Sequence, residues 1–174
     1  MFRLFSILVC AALALAGCLA GGCGYHMGSI AHPQVTTVAI APVVNESLAY
    51  NASADMRGML CDQFMFDGSF KIKEQGTADC IVYARILDVV TAEVMSASYN
   101  NGQTYQAAEW SATVKVEFTV VIPGRKDPLV AKRTVSGTTN YQVEADVETN
   151  RRRGIQMACR DAAQQIVIYT TEAF

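Results

Sequence analysis

Histidine is nearly absent from this chain. Its 174 residues contain two, His26 and His32, and both precede the predicted domain. Histidine is the commonest general base and a frequent metal ligand, so the domain lacks the residue type that most often carries catalysis. No GxSxG, HExxH, P-loop or dinucleotide-binding pattern occurs either. We therefore predict a protein that is not an enzyme and has no metal site and no cofactor, with catalysis by carboxylates alone as the remaining alternative.

Charged residues are also scarce, at 17% of the chain with a formal net charge of −2. Such a balance gives no long-range field that attracts nucleic acid, so we expect no nucleic-acid partner. One run of like charge stands out, at Arg151–Arg153. Its guanidinium groups could bind phosphates in bidentate fashion. The alternative is a solvated helix turn, balanced by the acids just upstream, Glu144, Asp146 and Glu148.

The N-terminus has the layout of a secretory signal. Arg3 precedes an uncharged, mainly apolar run from Leu4 to Ala16. Crossing a bilayer takes roughly 20 residues, so this run is too short to be a membrane span. We predict that residues 1–17 are a lipoprotein signal peptide.

The residues at the end of this run support that prediction. Leu15-Ala16-Gly17-Cys18 resembles the lipobox of bacterial lipoproteins, in which the cysteine becomes the acylated first residue of the mature chain. We predict lipid attachment at Cys18, with Cys23 as the alternative acceptor. Several acyl chains anchor a protein stably to one leaflet. Because Leu19 and not aspartate follows Cys18, we expect the outer membrane, facing the periplasm.

The predicted domain holds three further cysteines, Cys61, Cys80 and Cys159. The periplasm permits disulfides, and with Cys23 these cysteines allow three pairings. None has CxxC spacing, and buried free thiols are the alternative.

From residue 35 onward the pattern predicts one domain (35–174) behind a tether over residues 18–34. Met56, Leu60 and Phe64 recur every four residues and predict an amphipathic first helix. A second helix begins after Asp146 or Thr149, and Glu148 precedes Arg152 by the spacing of a helix ion pair. The predicted order is a strand (35–44), a helix (about 51–67), a short strand (70–73), a hairpin (80–97 and 105–122), a strand (129–141) and the last helix. Two helices with single apolar stripes must cover a sheet with one apolar face. The predicted fold class is therefore α+β, a two-layer sandwich with a mixed, mainly antiparallel sheet and both helices on one face.

The hairpin has a predicted register. Asn101-Gly102 is a strong hairpin turn signal, and Trp110–Ile122 alternates apolar with polar residues. Pairing the arms symmetrically about the turn places Asp88 opposite Lys115, a favourable pair, and Arg85 opposite Phe118, a misfit. The same register turns four residues of the first arm to the apolar face, namely Ile81, Tyr83, Leu87 and Val89.

Candidate binding residues come from two places. Tyr99, Asn101 and Tyr105 at the hairpin tip offer aromatic and uncharged polar groups suited to a lumen wall or a sugar surface. A flexible exposed turn is the alternative. Arg151 and Arg152 are the candidate phosphate-binding residues.

With the elements placed, four segments in order resemble the LPS-assembly lipoprotein family, LptE. Cys23-Gly24-Tyr25-His26-Met27-Gly28 resembles the family's opening, and Thr37–Ser47 is similar to its first strand. Ala78–Val82 resembles a strand entry of the family, and Ala158–Phe174 its closing helix.

The resemblance implies an outer-membrane lipoprotein that binds a large β-barrel translocon, LptD, and helps deliver lipopolysaccharide to the outer leaflet. It also implies a sheet with two helices packed on it. In the family the cysteine before Gly-Tyr-His is commonly acylated, whereas the better lipobox here ends at Cys18. The first strand, with the Asn45-Glu46-Ser47 that follows it, also resembles lipoproteins of curli-secretion and peptidoglycan-synthase-activator type, which are the alternative.

Overall fold

The computed structural model describes His32 and residues 34–99, 104–142 and 146–172. In chain order its elements are β1 (Thr37–Ile40), β2 (Val44–Asn45), α1 (Ala52–Asp67), β3 (Lys71–Ile72), β4 (Cys80–Tyr99), β5 (Thr104–Val121), β6 (Val130–Gln142) and α2 (Val147–Thr171). The predicted order is confirmed. The first predicted strand is divided in two around Pro42, because proline has no N–H to donate to a sheet.

All six strands form one sheet in the order β3-β1-β4-β5-β6, and β2 pairs with β4. β1 and β2 run parallel to β4, and β3 runs parallel to β1. β4, β5 and β6 are antiparallel neighbours. The sheet is therefore mixed and mainly antiparallel by length, as predicted.

Both helices cover one face of the sheet, which confirms the two-layer α+β fold. Met56, Leu60 and Phe64 of α1 are fully buried, as the four-residue spacing predicts. The α2 stripe from Ile155 to Ile166 is buried against them, and Tyr169 is partly buried. The facing residues of β5 are Ala112, Val114, Val116, Phe118 and Val120. Fully burying a large apolar side chain contributes about 1.5–3 kcal/mol, so this layer carries most of the stability.

The predicted hairpin register holds from the pair Tyr99–Thr104 to the pair Asp88–Lys115, except for a local irregularity that places Met95 opposite Glu109, and it is wrong from Ile86 onward. Asp88 lies opposite Lys115 as predicted, but the register shifts by one at Leu87. Leu87 is thus an extra residue in β4, a β-bulge, and beyond it Arg85 pairs with Glu117 while Ala84 pairs with Phe118. The predicted contact of Arg85 with Phe118 is therefore wrong, because the bulge turns the guanidinium to the open face.

The bulge also exchanges the faces of the first half of β4. The core-facing residues there are Cys80, Val82, Ala84 and Ile86. Tyr83, predicted to face the core, is exposed on the open side, and Ile81 is buried in a separate small cluster with Ala39, Ala41 and Ala78. The prediction for Val89, which packs against the main core, is correct.

Two contacts tie the elements together. The Asp79 carboxylate accepts hydrogen bonds from the N–H groups of Thr36 (3.0 Å) and Thr37 (2.9 Å), joining the starts of β1 and β4. These bonds lower the pKa of Asp79 to about 2. Gly137 of β6 lies directly against the backbone of α2, where no side chain would fit.

The three cysteines of the described residues are free thiols. Cys80 and Cys159 are buried, and burial raises the pKa of each thiol to about 12. Cys61 is half-buried. The buried-thiol alternative is therefore correct for this part of the chain, and Cys23 lies outside the described residues.

Candidate binding surfaces

A short loop between β2 and α1 forms one wall of the first candidate surface. The Asn45 side-chain amide donates to the carbonyl oxygen of Ala49 at 2.8 Å, and its Oδ1 accepts from the Ser47 N–H at 3.0 Å. These bonds use both ends of the amide to close the turn. The loop holds Leu48 and Tyr50 almost fully in solvent.

A cavity of about 320 Å³ lies between this loop and the starts of both helices. Its lining residues come from the loop, α1 and α2, and include Tyr50, Asn51, Asp55, Glu148, Thr149, Arg151, Arg152 and Ile155. The positive ends of two helix dipoles meet here. The structure thus places both predicted arginines in the wall of one cavity.

The electrostatics of the cavity are balanced. Arg151 forms a bidentate ion pair with Glu148, in which Nε donates to Oε2 at 3.0 Å and Nη2 donates to Oε1 at 2.9 Å. This pairing lowers the pKa of Glu148 and raises the pKa of Arg151. The predicted Glu148–Arg152 pair is therefore wrong. Arg151, one residue nearer, aligns its planar fork with the carboxylate, and among the described residues no carboxylate lies within 4 Å of the Arg152 guanidinium.

Asp146 fixes the start of α2, as predicted. Its Oδ1 accepts the Thr149 N–H at 3.0 Å and its Oδ2 accepts the Thr149 hydroxyl at 2.6 Å, which lowers the pKa of Asp146. The cap aims the following turn, and with it Arg151 and Arg152, at the cavity. Since Asp55 and Glu148 offset the two arginines, the site suits a polar or zwitterionic group better than a strongly anionic one.

The far ends of the hairpin arms, at Tyr99 and Thr104, lie at this same end of the molecule. β6 ends at Gln142, opposite Glu109, while β4 and β5 continue to the pair Tyr99–Thr104. The arms therefore project past the end of β6. Tyr99 and Tyr105 lie in the projecting arms, although their side chains are outside the described set, and Asn101 is outside it altogether.

The open face of the sheet is a second surface, which the sequence analysis missed. A row of alternating charge crosses it, with Arg85–Glu46 at 3.1 Å and Lys132–Glu117 at 2.9 Å. Arg85 and Glu117 are directly opposed on β4 and β5. The hydroxyls of Thr113 and Thr138 are 3.1 Å apart farther along the same face. The sequence held one signal for this surface. The predicted register placed Arg85 opposite Phe118, and a charged residue opposite an apolar one indicates that the strand has changed face.

A shallow cavity of about 180 Å³ opens on this face, between Tyr83 and Lys132. Pro42, Val44, Arg85 and Thr119 are among its lining residues. Tyr83 thus offers an aromatic ring among paired charges and hydroxyls, so this surface is polar and its charges are balanced.

Two findings bear on chemistry and membranes. Within the described residues, no group of three or more histidine, cysteine, aspartate or glutamate side chains could hold a metal ion. In the same part of the chain, no helix has the length and apolar character needed to cross a bilayer. Cys18 and Cys23 lie outside the described residues, so lipid attachment there stays a prediction.

Comparison with solved structures shows the same fold in distant proteins. A hypothetical protein from Chlamydia trachomatis has 12% identity and a TM-score of 0.55, over 79% of this chain and 97% of that one. A Xanthomonas campestris protein has 12% identity and a TM-score of 0.52, over 83% and 90%. PelC of Paraburkholderia phytofirmans, a dodecamer, has 11% identity and a TM-score of 0.50, over 80% and 90%. No curated protein matches the chain significantly.

The fold and the surfaces define a two-layer α+β domain with a balanced cavity at its hairpin end and a polar open sheet face. The sequence model of the lipopolysaccharide-assembly family, LptE, matches residues 35–170. The chain belongs to this family. The resemblance of the first strand to curli-secretion and synthase-activator lipoproteins is therefore not adopted.

Proposed function

We propose that this chain is a non-catalytic assembly factor that is lipid-anchored to the periplasmic face of the outer membrane. It acts with an LptD-like β-barrel translocon in placing lipopolysaccharide in the outer leaflet. The observation that carries the proposal is the match to the lipopolysaccharide-assembly family over residues 35–170. The lipobox at Cys18 supports the anchor, and the lack of histidine after residue 32 supports a role without catalysis.

The chain enters the domain at the end of the sheet opposite the hairpin end. Val35 leads into β1, which pairs with the beginning of β4 near Cys80, whereas Tyr99 ends β4 at the other end of the sheet. At about 3.3 Å per residue, the 20 residues of β4 span roughly 65 Å. A lipid on Cys18 would therefore join the domain at the end opposite the hairpin, and the 17 residues from 18 to 34 are long enough, at up to about 55 Å when extended, to let the hairpin end turn toward a barrel in the same membrane.

The proposed partner surface is the hairpin end. Arms that project past β6 can enter the lumen of a barrel, where Tyr99, Asn101 and Tyr105 would meet its wall. The cavity beside them would receive a polar group of the partner or of lipopolysaccharide. Arg152 is the residue we assign to a phosphate contact, because Arg151 is already occupied by Glu148.

The first experiment tests the anchor and the partner together. We would purify the full-length protein from detergent-solubilised membranes and measure the mass of its N-terminal peptide. We expect acylation at Cys18 and co-purification of an LptD-like barrel, with Cys18→Ala abolishing the lipid and Cys23→Ala leaving it in place. Unmodified Cys18 and Cys23, or a protein without a barrel partner, would contradict the proposal.

The second experiment tests the hairpin-end cavity. Arg151→Ala/Arg152→Ala should reduce barrel co-purification or surface lipopolysaccharide in cells depleted of the native protein. The matched control is Arg125→Ala/Lys126→Ala, which removes the same charge from the loop between β5 and β6 at the opposite end. Equal effects of the two variants would show that only net charge matters and would remove the cavity from the proposal.

A further inference from the structure

The hairpin-end cavity contains one cation and one anion that are not used within the domain. Arg151 and Glu148 pair with each other. Among the described residues, no carboxylate lies within 4 Å of the Arg152 guanidinium, and no basic group lies within 4 Å of the Asp55 carboxylate. Both side chains line the same cavity of about 320 Å³, which has room for about ten water molecules. Its wall thus offers one small ligand a positive and a negative group that no described residue pairs with.

An uncharged polar group lies in the same wall. Asn51 precedes α1 in a left-handed conformation, with a φ of 68°, which asparagine tolerates better than most residues. Its side chain makes no capping hydrogen bond to the helix. The amide therefore remains available to the cavity that it lines, where it can donate to or accept from a bound polar group.

The rim of the cavity is apolar and held in place. The Ser47 hydroxyl donates to Asn45 Oδ1 at 2.7 Å and accepts the Ala49 N–H at 3.3 Å. These bonds fix the loop in the conformation that leaves Leu48 and Tyr50 almost fully in solvent. A tyrosine has an apolar ring and a polar tip, which suits the boundary between a lipid headgroup and its acyl chains. The loop thus presents a leucine and a tyrosine next to a cavity with both signs of charge.

We propose that this cavity binds the phosphoethanolamine headgroup of a membrane phospholipid, with the phosphate at Arg152 and the ammonium group at Asp55. Leu48 and Tyr50 then enter the boundary between the headgroups and the acyl chains. The charges of the cavity select this ligand. A phosphate without an amine would lie beside the Asp55 carboxylate with nothing to offset the repulsion, and an apolar group would take both charges out of water unpaired.

The inference rests on the proposed function in one respect, namely that the hairpin end meets the membrane that holds the barrel. It goes beyond that function, because the ligand is a phospholipid of the leaflet. Such a lipid can occupy the cavity before a group of the partner or of lipopolysaccharide reaches it. Bound in this way, it would hold the hairpin end toward the bilayer.

The first test uses the mature chain, residues 18–174, produced without its signal and therefore without acyl chains. NMR titration measures its affinity for glycerophosphoethanolamine, with glycerol phosphate and ethanolamine as probes of one charge each. We expect Arg152→Gln and Asp55→Asn each to weaken glycerophosphoethanolamine binding about tenfold. The matched controls are Arg125→Gln and Asp127→Asn, in the exposed loop at the opposite end, which should leave the affinity unchanged.

The effect of Asp55→Asn distinguishes two kinds of site. If the cavity recognised only phosphate, removing a nearby carboxylate would strengthen binding of both phosphate probes. A site for a zwitterion predicts the reverse for glycerophosphoethanolamine. Circular dichroism melts establish that each variant is folded, and Asp55→Ser replaces Asp55→Asn if the latter is not.

The second test uses vesicles and concerns the apolar rim. We expect the mature chain to float with phosphatidylethanolamine-containing vesicles and less with vesicles of phosphatidylcholine alone. Leu48→Ser/Tyr50→Ser should lower this vesicle binding at least about tenfold and leave the affinity for glycerophosphoethanolamine unchanged. Phe66→Ser is the control, because Phe66 is almost as exposed but lies at the other end of α1.

Each other outcome has a meaning. Stronger phosphate binding by Asp55→Asn, equal binding to vesicles with and without phosphatidylethanolamine, or binding of lipopolysaccharide alone would overturn the inference. Headgroup binding by a protein that co-purifies with no barrel would leave the inference standing and contradict the proposed function. Co-purification of the barrel by a protein that binds no headgroup would contradict the inference alone.

Discussion

Gly137 is the point of closest approach between the sheet and α2, and its replacement by alanine is the sharpest test of the packing. A Cβ built on Gly137 would collide with the backbone oxygen of Ala158 and the backbone nitrogen of Ala162, and would lie 2.9 Å from the Ala162 Cβ. Two of these three atoms are backbone, which no rotamer change can move. The whole helix must therefore shift outward to admit a single methyl group.

The magnitude follows from that constraint. Overpacking a core costs typically about 1–3 kcal/mol, with the upper end expected where backbone must move. We expect Gly137→Ala to lower the free energy of unfolding by about 3 kcal/mol. For a domain of this size, each kcal/mol shifts the melting temperature by roughly 2–4 °C, so the loss should be about 6–12 °C.

Two other glycines, Gly154 and Gly58, provide comparison variants within the same protein. At Gly154, a Cβ would meet the Tyr141 ring, a side chain that can turn aside in part, so Gly154→Ala should cost less. At Gly58, in the exposed middle of α1, nothing lies within 4 Å, and alanine should stabilise by about 1 kcal/mol through helix propensity. Thermal and urea unfolding of the soluble mature chain would rank the three variants. A Gly137→Ala protein as stable as the parent would show that α2 does not pack directly on β6 at this point.

Three further predictions concern single groups. The hydrogen bonds of Asp79 lower its pKa to about 2, so they stabilise the fold fully above the unfolded-state pKa near 4, and this stability is lost as the pH falls through 2. In a urea-unfolding series from pH 5 to pH 2, Asp79→Asn should make the free energy of unfolding depend less on pH. Because burial raises the pKa of Cys80 and Cys159 to about 12, iodoacetamide at pH 8 should modify Cys61 first, and equal rates in the native protein would contradict the packing. Asp161→Ala uncovers the Thr138 N–H, and sedimentation should then detect concentration-dependent association that the parent lacks.

Local periodicity predicted the elements because each buries one face. The four-residue recurrence in α1 and the two-residue alternation of Trp110–Ile122 both report a side that packs, and both are confirmed by burial. The bulge at Leu87 was not predicted, because it shifts the alternation of buried and exposed residues by one within a single strand. Core residues are even-numbered up to Ile86, and the next core contact is Val89. The predicted placement of Arg85 opposite Phe118 was the one indication in the sequence that the register changes.

Contacts between elements distant in sequence could not be obtained in this way. The cavity that holds Arg151 and Arg152 requires α1 and α2 to begin at the same end, which depends on the parallel crossover from β2 to β4. Whether Glu148 pairs with Arg151 or with Arg152 depends on how these side chains are oriented within one turn of α2. Both depend on the three-dimensional arrangement. For Glu148, the sequence spacing allowed a partner either three or four residues later.

The two ends of the domain differ in how completely they are closed. At the entry end, Asp79 ties the start of β1 to that of β4, and Ile81 is covered by Ala39, Ala41 and Ala78. At the hairpin end, β4 runs on without β2, Leu48 and Tyr50 face solvent, and the cavity opens between the helix starts. A partner that meets the hairpin end can therefore also engage the polar cavity, and loss of the cavity contact should weaken binding without unfolding the domain.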